Sequence, residues 1–161
     1  MEKLGLYNKR NIATGEWIER GQKPTGDNYV KLTVVWIKCG DKYLIQNCSE
    51  EKGGEYAVTG GHVPFGIDSF DQACIETEEE LGLKLDKDKL KPLGMLVMKN
   101  AMFDTYIYED ETLKDFNFVL QESEVDSVHF FTKAEIEYLI NKGLFRKSSE
   151  KQFKAFIKDR D

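Results

Sequence analysis

The amino-acid sequence predicts an α+β fold in which strands lie on both sides of one internal helix. Residues 30–39 (VKLTVVWIKC) are rich in β-branched and aromatic side chains, which is the composition of a buried strand. Residues 68–81 instead have helical spacing, with Asp68 or Ser69 placed to cap the start and Gly82 placed to end the helix. Strands that flank a single strong helix favour an α+β fold or an α/β/α sandwich over a helical bundle.

Shorter segments complete the predicted fold. A turn at Gly40-Asp41 leads into a second strand at residues 42–46, which forms a hairpin with the first. Extended pieces are expected within residues 56–63, and further strands at residues 93–99, 103–109, 117–120 and 125–131. Thr132 and Glu135 have the spacing of a capping box, which opens a helix over about residues 132–142. A last amphipathic helix is predicted over about residues 149–159.

Length and composition restrict the function classes. A chain of 161 residues predicts a single domain over residues 1–161. The 29 acidic and 23 basic residues give a net charge of −6, which argues against a nucleic-acid or membrane partner because phosphate-rich surfaces attract basic proteins. No apolar run approaches the roughly 18 residues of a membrane span. The three cysteines form no Cys-x-x-Cys pair and no apolar signal follows Met1, so a reducing, cytoplasmic location without disulfides or zinc is expected.

The internal helix carries an unbalanced acidic stripe. Glu76, Glu79 and Glu80 share one face because residues three and four apart are neighbours on a helix, whereas Glu78 points elsewhere. Each like-charge pair costs roughly 0.2–0.5 kcal/mol, and the helix dipole is already negative at this end. Carboxylates in this arrangement suit Mg²⁺ or Mn²⁺, but a solvated acidic face is an alternative that the helix alone leaves open.

The residues around the helix resemble the Nudix box. That motif reads Gly, five residues, Glu, seven residues, Arg-Glu, an aliphatic residue, any residue, Glu-Glu, any residue, Gly and an aliphatic residue. The residues that match it in register are Gly61, Glu76, Glu79, Glu80, Gly82 and Leu83. The resemblance implies a Nudix-like α/β/α sandwich with a mixed β-sheet, in which residues 61–83 form a catalytic loop–helix–loop.

Other motifs resemble the Nudix branch related to isopentenyl-diphosphate isomerase. They include Leu6-Tyr7-Asn8, Thr14-Gly15-Glu16, Arg20-Gly21, Tyr43-Leu44-Ile45-Gln46 and Thr59-Gly60-Gly61-His62-Val63. Isomerase chemistry itself is not expected, because those enzymes use a cysteine and several histidine ligands and this chain has two histidines. His62 matches one ligand position, although a strand or turn role is favoured for it. His129 is expected to be an ordinary strand residue.

Three positions depart from the family pattern. Ile67 and Ile75 replace the first Glu and the Arg of the box, which look like partners that tie the loop to the helix. Because both partners are aliphatic here, one apolar contact is expected to replace the ion pair. Cys48 stands where the branch commonly carries an Arg, so the residue that would grip a diphosphate is not evident.

The resemblance implies a metal-dependent hydrolase of a nucleoside diphosphate linked to another moiety, a small-molecule substrate. Glu76 and Glu80 would hold Mg²⁺ or Mn²⁺, with the Gly61 carbonyl as a further ligand. Glu79 would complete this metal site, bind a second ion or act as the catalytic base from the helix. A later loop offers Glu124, with its neighbour Glu122, as the alternative base.

Other predicted roles depend on surface residues. Arg20 and Lys52 would meet the substrate phosphates, unless they are ordinary surface charges. Phe103, Tyr106 and Tyr108 are candidates to stack on a base, although alternating aromatic residues in a strand more often belong to the core. The rival interpretation, motivated by Ile67 and Ile75, is a Nudix-like ligand-sensing or binding domain without turnover.

Overall fold

The computed structural model describes residues 1–160 and contains, within that range, nine strands and three α-helices. The strands are β1 (Lys3–Tyr7), β2 (Ala13–Glu19), β3 (Val30–Cys39), β4 (Lys42–Cys48), β5 (Tyr56–Ala57), β6 (Thr59–His62), β7 (Leu90–Met98), β8 (Ala101–Glu109) and β9 (Val125–Thr132). The helices are α1 (Ser69–Leu81), α2 (Lys133–Asn141) and α3 (Lys147–Gln152), and α3 continues as a π-helical turn at Phe153–Ile157. Asp161, the last residue of the predicted domain, lies outside the described residues.

Seven strands form a mixed sheet centred on β3. Strand β3 runs parallel to β8 along its length, and β7 continues the sheet antiparallel to β8. On its other side β3 pairs with β4 only at the hairpin end, through Lys38–Tyr43 and Cys39–Lys42. Further along, β6 takes the place beside β3, while β5 and β9 flank β4. The divergence of β3 from β4 opens the sheet at one end.

Helices cover both faces of this sheet, because β3 is apolar on both sides. Val35 and Ile37 pack in a cluster with Ala73 and Leu81 of α1 on one face. On the other face the cluster contains side chains from the sheet, from α2 and from the C-terminal helical segment, among them Val34, Trp36, Ile45, Ile136, Phe153 and Ile157. The predicted α+β sandwich is therefore confirmed. Within residues 1–160, none of the helices has the length and apolar character that crossing a bilayer requires.

The predicted helix caps are confirmed. The Asp68 side chain accepts a hydrogen bond from the Asp71 N–H at the start of α1, and Gly82 ends the helix with φ 67°. Thr132 and Glu135 form the predicted capping box at the start of α2. The last helix begins earlier than predicted, at Lys147.

One predicted strand is wrong. Residues 117–120 form no strand, because their backbone and that of the next residue serve the end of α1. The Val119 N–H donates to the Leu81 carbonyl at 3.0 Å, and the Gln121 N–H donates to the Glu80 carbonyl at 2.9 Å. The segment therefore satisfies carbonyl groups that the helix C-terminus leaves unpaired. The paired strands β1 and β2 were not predicted; all of β2 except Ile18 and Glu19 is exposed, so no buried face marks it in the sequence.

The contact between this segment and Gly82 predicts a measurable cost for a methyl group. A Cβ at Gly82 would lie 2.9 Å from the Val119 Cβ, whereas a Cβ at Gly143, which has a similar φ of 72°, would meet nothing within 4 Å. Both alanine variants have similar backbone strain, but only Gly82→Ala adds a clash. We expect Gly82→Ala to lower the free energy of unfolding by about 1–3 kcal/mol more than Gly143→Ala, measured by urea denaturation. Equal losses in the two variants would contradict this account of the helix end.

Candidate active site

A cleft of about 300 Å³ lies where β3 and β4 diverge, between α1 and α3. Seven residues with predicted catalytic, metal-binding or phosphate-binding roles line it, namely Arg20, Lys52, Gly61, Glu76, Glu79, Glu80 and Glu124. Glu122, the other acid of the later loop, is exposed and is not part of the lining. Residues far apart in the sequence therefore meet at one site.

The packing of α1 turns its acidic stripe towards the cleft. Ala73, Thr77 and Leu81 are fully buried and face the sheet, as the helical spacing predicts. Glu76, Glu79 and Glu80 occupy the neighbouring stripe and line the cleft. Glu78 is exposed and lies outside the lining. The helix position of each glutamate therefore decides whether it reaches the site.

Two of these carboxyl groups are held against each other. Glu80 is only 6% exposed, and its Oε1 lies 3.3 Å from the donating Nε2 of Gln46. The Glu76 Oε1 accepts a hydrogen bond of 2.8 Å from the Gln72 Nε2. Burial, and then the hydrogen bond and negative charge of Glu76, raise the pKa of Glu80 to about 9. Without a cation, the pair therefore keeps a proton at neutral pH.

The glycines of the adjoining strand allow this close packing. A Cβ at Gly61 would lie 2.6 Å from the Glu76 carboxyl carbon, and a Cβ at Gly60 would lie 2.4 Å from the Thr33 carbonyl oxygen. Any side chain at Gly61 would displace the Glu76 carboxyl group. The Gly61 backbone and the carboxyl pair therefore share one small space.

The oxygen atoms of Glu76 and Glu80 suit a divalent cation that takes its remaining ligands from water or substrate. Among residues 1–160, no group of three or more His, Cys, Asp and Glu side chains is arranged to hold a metal ion by itself. Glu76 and Glu80 supply two adjoining carboxyl groups, and Mg²⁺ typically takes one or two carboxylates and completes its shell with water and substrate phosphates. A divalent cation bound between Glu76 and Glu80 would take the place of the proton that the two carboxyl groups share.

The cleft also carries cationic side chains, one of which sequence reasoning missed. Lys52 Nζ lies 3.4 Å from Glu124 Oε1, and Arg20 Nη1 lies 3.5 Å from Glu2 Oε1. Arg146, the residue before α3, also lines the cleft, and its Nη2 lies 3.3 Å from the Cys48 sulfur. A guanidinium group therefore stands beside the position where the resembled branch carries an Arg. No local motif marks Arg146, because its place depends on how α3 packs.

The two histidines differ in their surroundings. His62 is a strand residue of β6 that also lines the cleft, and burial lowers its pKa, with a further lowering by the Arg20 charge. It therefore stays neutral at physiological pH. His129 is an exposed strand residue of β9 that stacks on Phe131, as expected from the sequence.

Only one of the three aromatic residues predicted to stack on a base reaches the cleft. Phe103 lines it, but Tyr106 and Tyr108 pack in the cluster on the α1 face of the sheet. The Tyr106 hydroxyl lies 2.6 Å from the Ser69 Oγ, and its ring packs against Phe70. Both tyrosines therefore belong to the core, which is the alternative favoured for alternating aromatic residues, because alternate residues of β8 face opposite sides of the sheet.

Of the two aliphatic residues that depart from the box, Ile67 lies in the loop just before α1 and Ile75 lies on the exposed side of the helix. Ile75 is 39% exposed, and Ile67 is partly exposed. Neither belongs to the hydrophobic clusters that the described residues form on the two faces of the sheet. The apolar contact expected between them remains a prediction.

Comparisons with known proteins connect this geometry to a family. No family model matches the chain. An uncharacterized Nudix hydrolase of Listeria monocytogenes is 27% identical over 151 residues, which is 90% of this chain and 88% of that protein. Nudix hydrolase 3 of Arabidopsis thaliana is 26% identical over 162 residues, and the match covers 88% of this chain but 20% of the plant protein.

Solved structures share the fold. A protein of Deinococcus radiodurans superposes with a TM-score of 0.74 at 19% identity, over 91% of this chain and 93% of that one. A MutT Nudix hydrolase of Burkholderia pseudomallei gives 0.55 at 15% identity, over 65% and 83%. A bifunctional NMN adenylyltransferase/ADP ribose pyrophosphatase of Francisella tularensis, complexed with AMP and a manganese ion, gives 0.63 at 10% identity, over 84% and 42%. The chain therefore has the Nudix fold, and the names of its relatives support the Nudix hydrolase superfamily.

The carboxyl pair predicts how stability depends on pH in the absence of metal. The ordinary pKa of Glu80, 4.5, applies to the unfolded chain, and in the folded protein the pKa rises to about 9. Between these values the folded protein holds a proton that the unfolded chain has lost, so stability is full below the lower pKa and falls as pH rises to the higher one. We expect the free energy of unfolding in EDTA to fall over this range by at most about 1.4 kcal/mol per pH unit.

Urea denaturation at several pH values checks this expectation. Glu80→Gln should remove the slope because an amide does not titrate, and Glu78→Gln, on the exposed side of α1, should keep it. Parallel pH profiles for the wild type and Glu80→Gln would show that Glu80 does not hold the proton.

Proposed function

We propose that this protein is a metal-dependent pyrophosphohydrolase of the Nudix hydrolase superfamily that acts on a nucleoside diphosphate linked to another group. The observation that carries the proposal is the buried carboxyl pair of Glu76 and Glu80, which shares one cleft with three cationic side chains. The names of the curated relatives support hydrolase activity. The motifs around Gly61 and His62 indicate, by resemblance, the branch related to isopentenyl-diphosphate isomerase.

The charge balance of the cleft argues for a cation between protein and substrate. Among the described residues, five carboxyl groups line it, from Glu2, Glu76, Glu79, Glu80 and Glu124, against the three cationic side chains of Arg20, Lys52 and Arg146. Because the carboxyl pair keeps one proton, four negative charges face three positive ones, and a diphosphate would still be repelled by a net negative wall. A divalent cation held between the carboxylates and the phosphates removes this repulsion.

Glu76 and Glu80 would hold the ion, with the Gly61 carbonyl as a further ligand, in the small space that these residues share. Mg²⁺ or Mn²⁺ suits these oxygen donors, and the manganese ion of the Francisella protein is in keeping with this choice. When bound, the ion would neutralise phosphate charge and make water a better nucleophile. Gln46 and Gln72 hold the two carboxyl groups in place through their amides.

The remaining residues of the cleft would orient the substrate and move a proton. In hydrolysis a water oxygen bonds to phosphorus, the bridging oxygen leaves with the electron pair of the broken bond, and a water proton passes to a base. Glu79 and Glu124 both line the cleft as candidate bases, and Lys52 positions the Glu124 carboxylate through its ion pair. Arg20 and Arg146 would bind phosphate oxygens through their guanidinium groups.

A binding domain without turnover is the second candidate. It is favoured by Ile67 and Ile75, since the loop–helix ion pair of the box is absent and Ile75 is 39% exposed. Such a domain would bind a nucleotide tightly, without metal, and leave it intact. Calorimetry followed by chromatography of the recovered ligand separates the two functions.

The carboxyl pair predicts a large loss of activity in a conservative variant. With Mg²⁺ and a panel of nucleotide sugars, dinucleotides and nucleoside triphosphates, the wild type should release a nucleoside monophosphate from some member of the panel. Glu80→Gln should lower kcat by at least about 100-fold, because an amide is a poor metal ligand. Glu78→Gln serves as the matched control on the same helix and should retain activity. Full activity in Glu80→Gln would refute the mechanism.

The position of Arg146 predicts an effect on substrate binding. Arg146→Met removes a guanidinium group from the cleft and should raise KM about tenfold with kcat changed less than about threefold, the pattern of lost ground-state binding. Arg146→Lys should restore part of the affinity. Glu55→Gln removes the 3.7 Å ion pair of Arg146 but keeps the guanidinium charge, so KM should stay close to the wild-type value. An unchanged KM in Arg146→Met would exclude a role in phosphate binding.

A further inference from the structure

Gln152, on α3, is a buried polar residue in the wall of the cleft that the proposed hydrolysis does not use. Its side chain is 1% exposed, and it lines the cleft together with the acidic helix and Arg146. Its amide has one end fixed by hydrogen bonds and the other without a partner among the described residues. Such a half-satisfied buried amide is unusual in proteins, because buried donors normally find an acceptor.

The orientation of this amide is fixed by its neighbours. The Gln152 Oε1 accepts hydrogen bonds from the Thr105 Oγ at 2.9 Å and from the Trp36 Nε1 at 3.4 Å. An indole nitrogen only donates, so the atom of the amide that faces Trp36 must be the oxygen. The Nε2 is therefore directed away from these two side chains, and no residue of the range 1–160 accepts a hydrogen bond from it.

The surroundings of Gln152 suit a largely apolar group. Leu32, Val34, Val58 and Phe103 line the same cleft, and none of these side chains accepts a hydrogen bond. Ser149 also lines it, but its Oγ already accepts a hydrogen bond of 3.1 Å from the Val58 N–H. A ligand that enters this part of the cleft would therefore gain apolar contacts, and a shift of the lining side chains would expose the buried Nε2 of Gln152 to it.

We propose that Gln152 is a specificity-determining residue, whose Nε2 donates a hydrogen bond to a carbonyl oxygen of the substrate's nucleobase. This inference rests on the proposed function, since it places the nucleoside part of the substrate against α3 and its phosphates beside Glu76, Glu80 and Arg146. Uracil, cytosine and guanine carry such an oxygen, whereas adenine does not. A site built to donate to an oxygen discriminates against a ligand that lacks it, because the donor is then left buried and unpaired.

The experiment compares substrates that differ only in the base, such as UDP-glucose and ADP-glucose, with Mg²⁺ present. The wild type should favour the carbonyl-bearing base by at least about tenfold in kcat/KM. Gln152→Met keeps the length of the side chain but has no donor, so it should bring this ratio close to one by slowing the uridine substrate. Thr105→Val is the matched control: it removes one hydrogen bond to Oε1, but the Trp36 Nε1 still donates to that oxygen and keeps the Nε2 in place, so the ratio should stay at its wild-type value.

The ratio between bases separates recognition from packing. A structural role for Gln152 would lower kcat/KM equally for both substrates, and that outcome would overturn the proposal, as would a wild type without base preference. Calorimetry with UMP and AMP gives a second measurement on the wild type that needs neither turnover nor a folded variant. If the wild type hydrolyses no diphosphate but binds UMP at least about tenfold more tightly than AMP, the proposed function fails, and recognition of a carbonyl-bearing base in this cleft stands. Equal affinities for the two would refute the role proposed for Gln152.

Discussion

The site depends on keeping two carboxyl groups together in a place with little water. Glu76 and Glu80 repel each other when both are charged, and burial strengthens that repulsion. The fold imposes the contact because Ala73, Thr77 and Leu81 fix the rotation of α1 on the sheet. The free energy of packing that face holds the carboxyl pair in place. A cation or a proton then relieves the repulsion, so the pair has an intrinsic affinity for positive charge.

The end of α1 links this helix to the rest of the cleft. The last carbonyls of a helix lack partners within it and carry partial negative charge, which adds to the charge of the glutamates. Val119 and Gln121 donate backbone hydrogen bonds to the carbonyls of Leu81 and Glu80. The same loop continues to Glu124, which reaches the cleft beside Lys52. The segment of residues 119–124 therefore caps the C-terminus of α1 and also places the candidate base Glu124 in the cleft.

Local patterns predicted α1 and its glutamates because helical spacing and caps act over a few residues. The same reasoning failed at residues 117–120, whose apolar side chains resemble a strand although the Val119 N–H serves the distant end of α1. It also missed Arg146 and Gln152, since only the packing of α3 brings them to the cleft. Alternation along β8 predicts two faces but not which of them meets the ligand, so the sequence alone could not separate Phe103, which lines the cleft, from Tyr106, which packs in the core. Tertiary contacts decide each of these cases.

The start of α1 stays attached to the sheet although Ile67 and Ile75 cannot form the ion pair of the box. The Thr33 Oγ donates to the Ser69 carbonyl at 2.9 Å, and the Ser69 Oγ donates to Asp104 at 2.7 Å. Asp104 in turn pairs with the nearly buried Lys31 at 3.2 Å. These bonds attach the first turn of α1 to β3 and β8, whereas an ion pair between positions 67 and 75 would tie the loop to the helix. Because the helix is anchored in another way, the loss of that pair is compatible with a working carboxyl site, and the hydrolase interpretation is favoured over a binding domain.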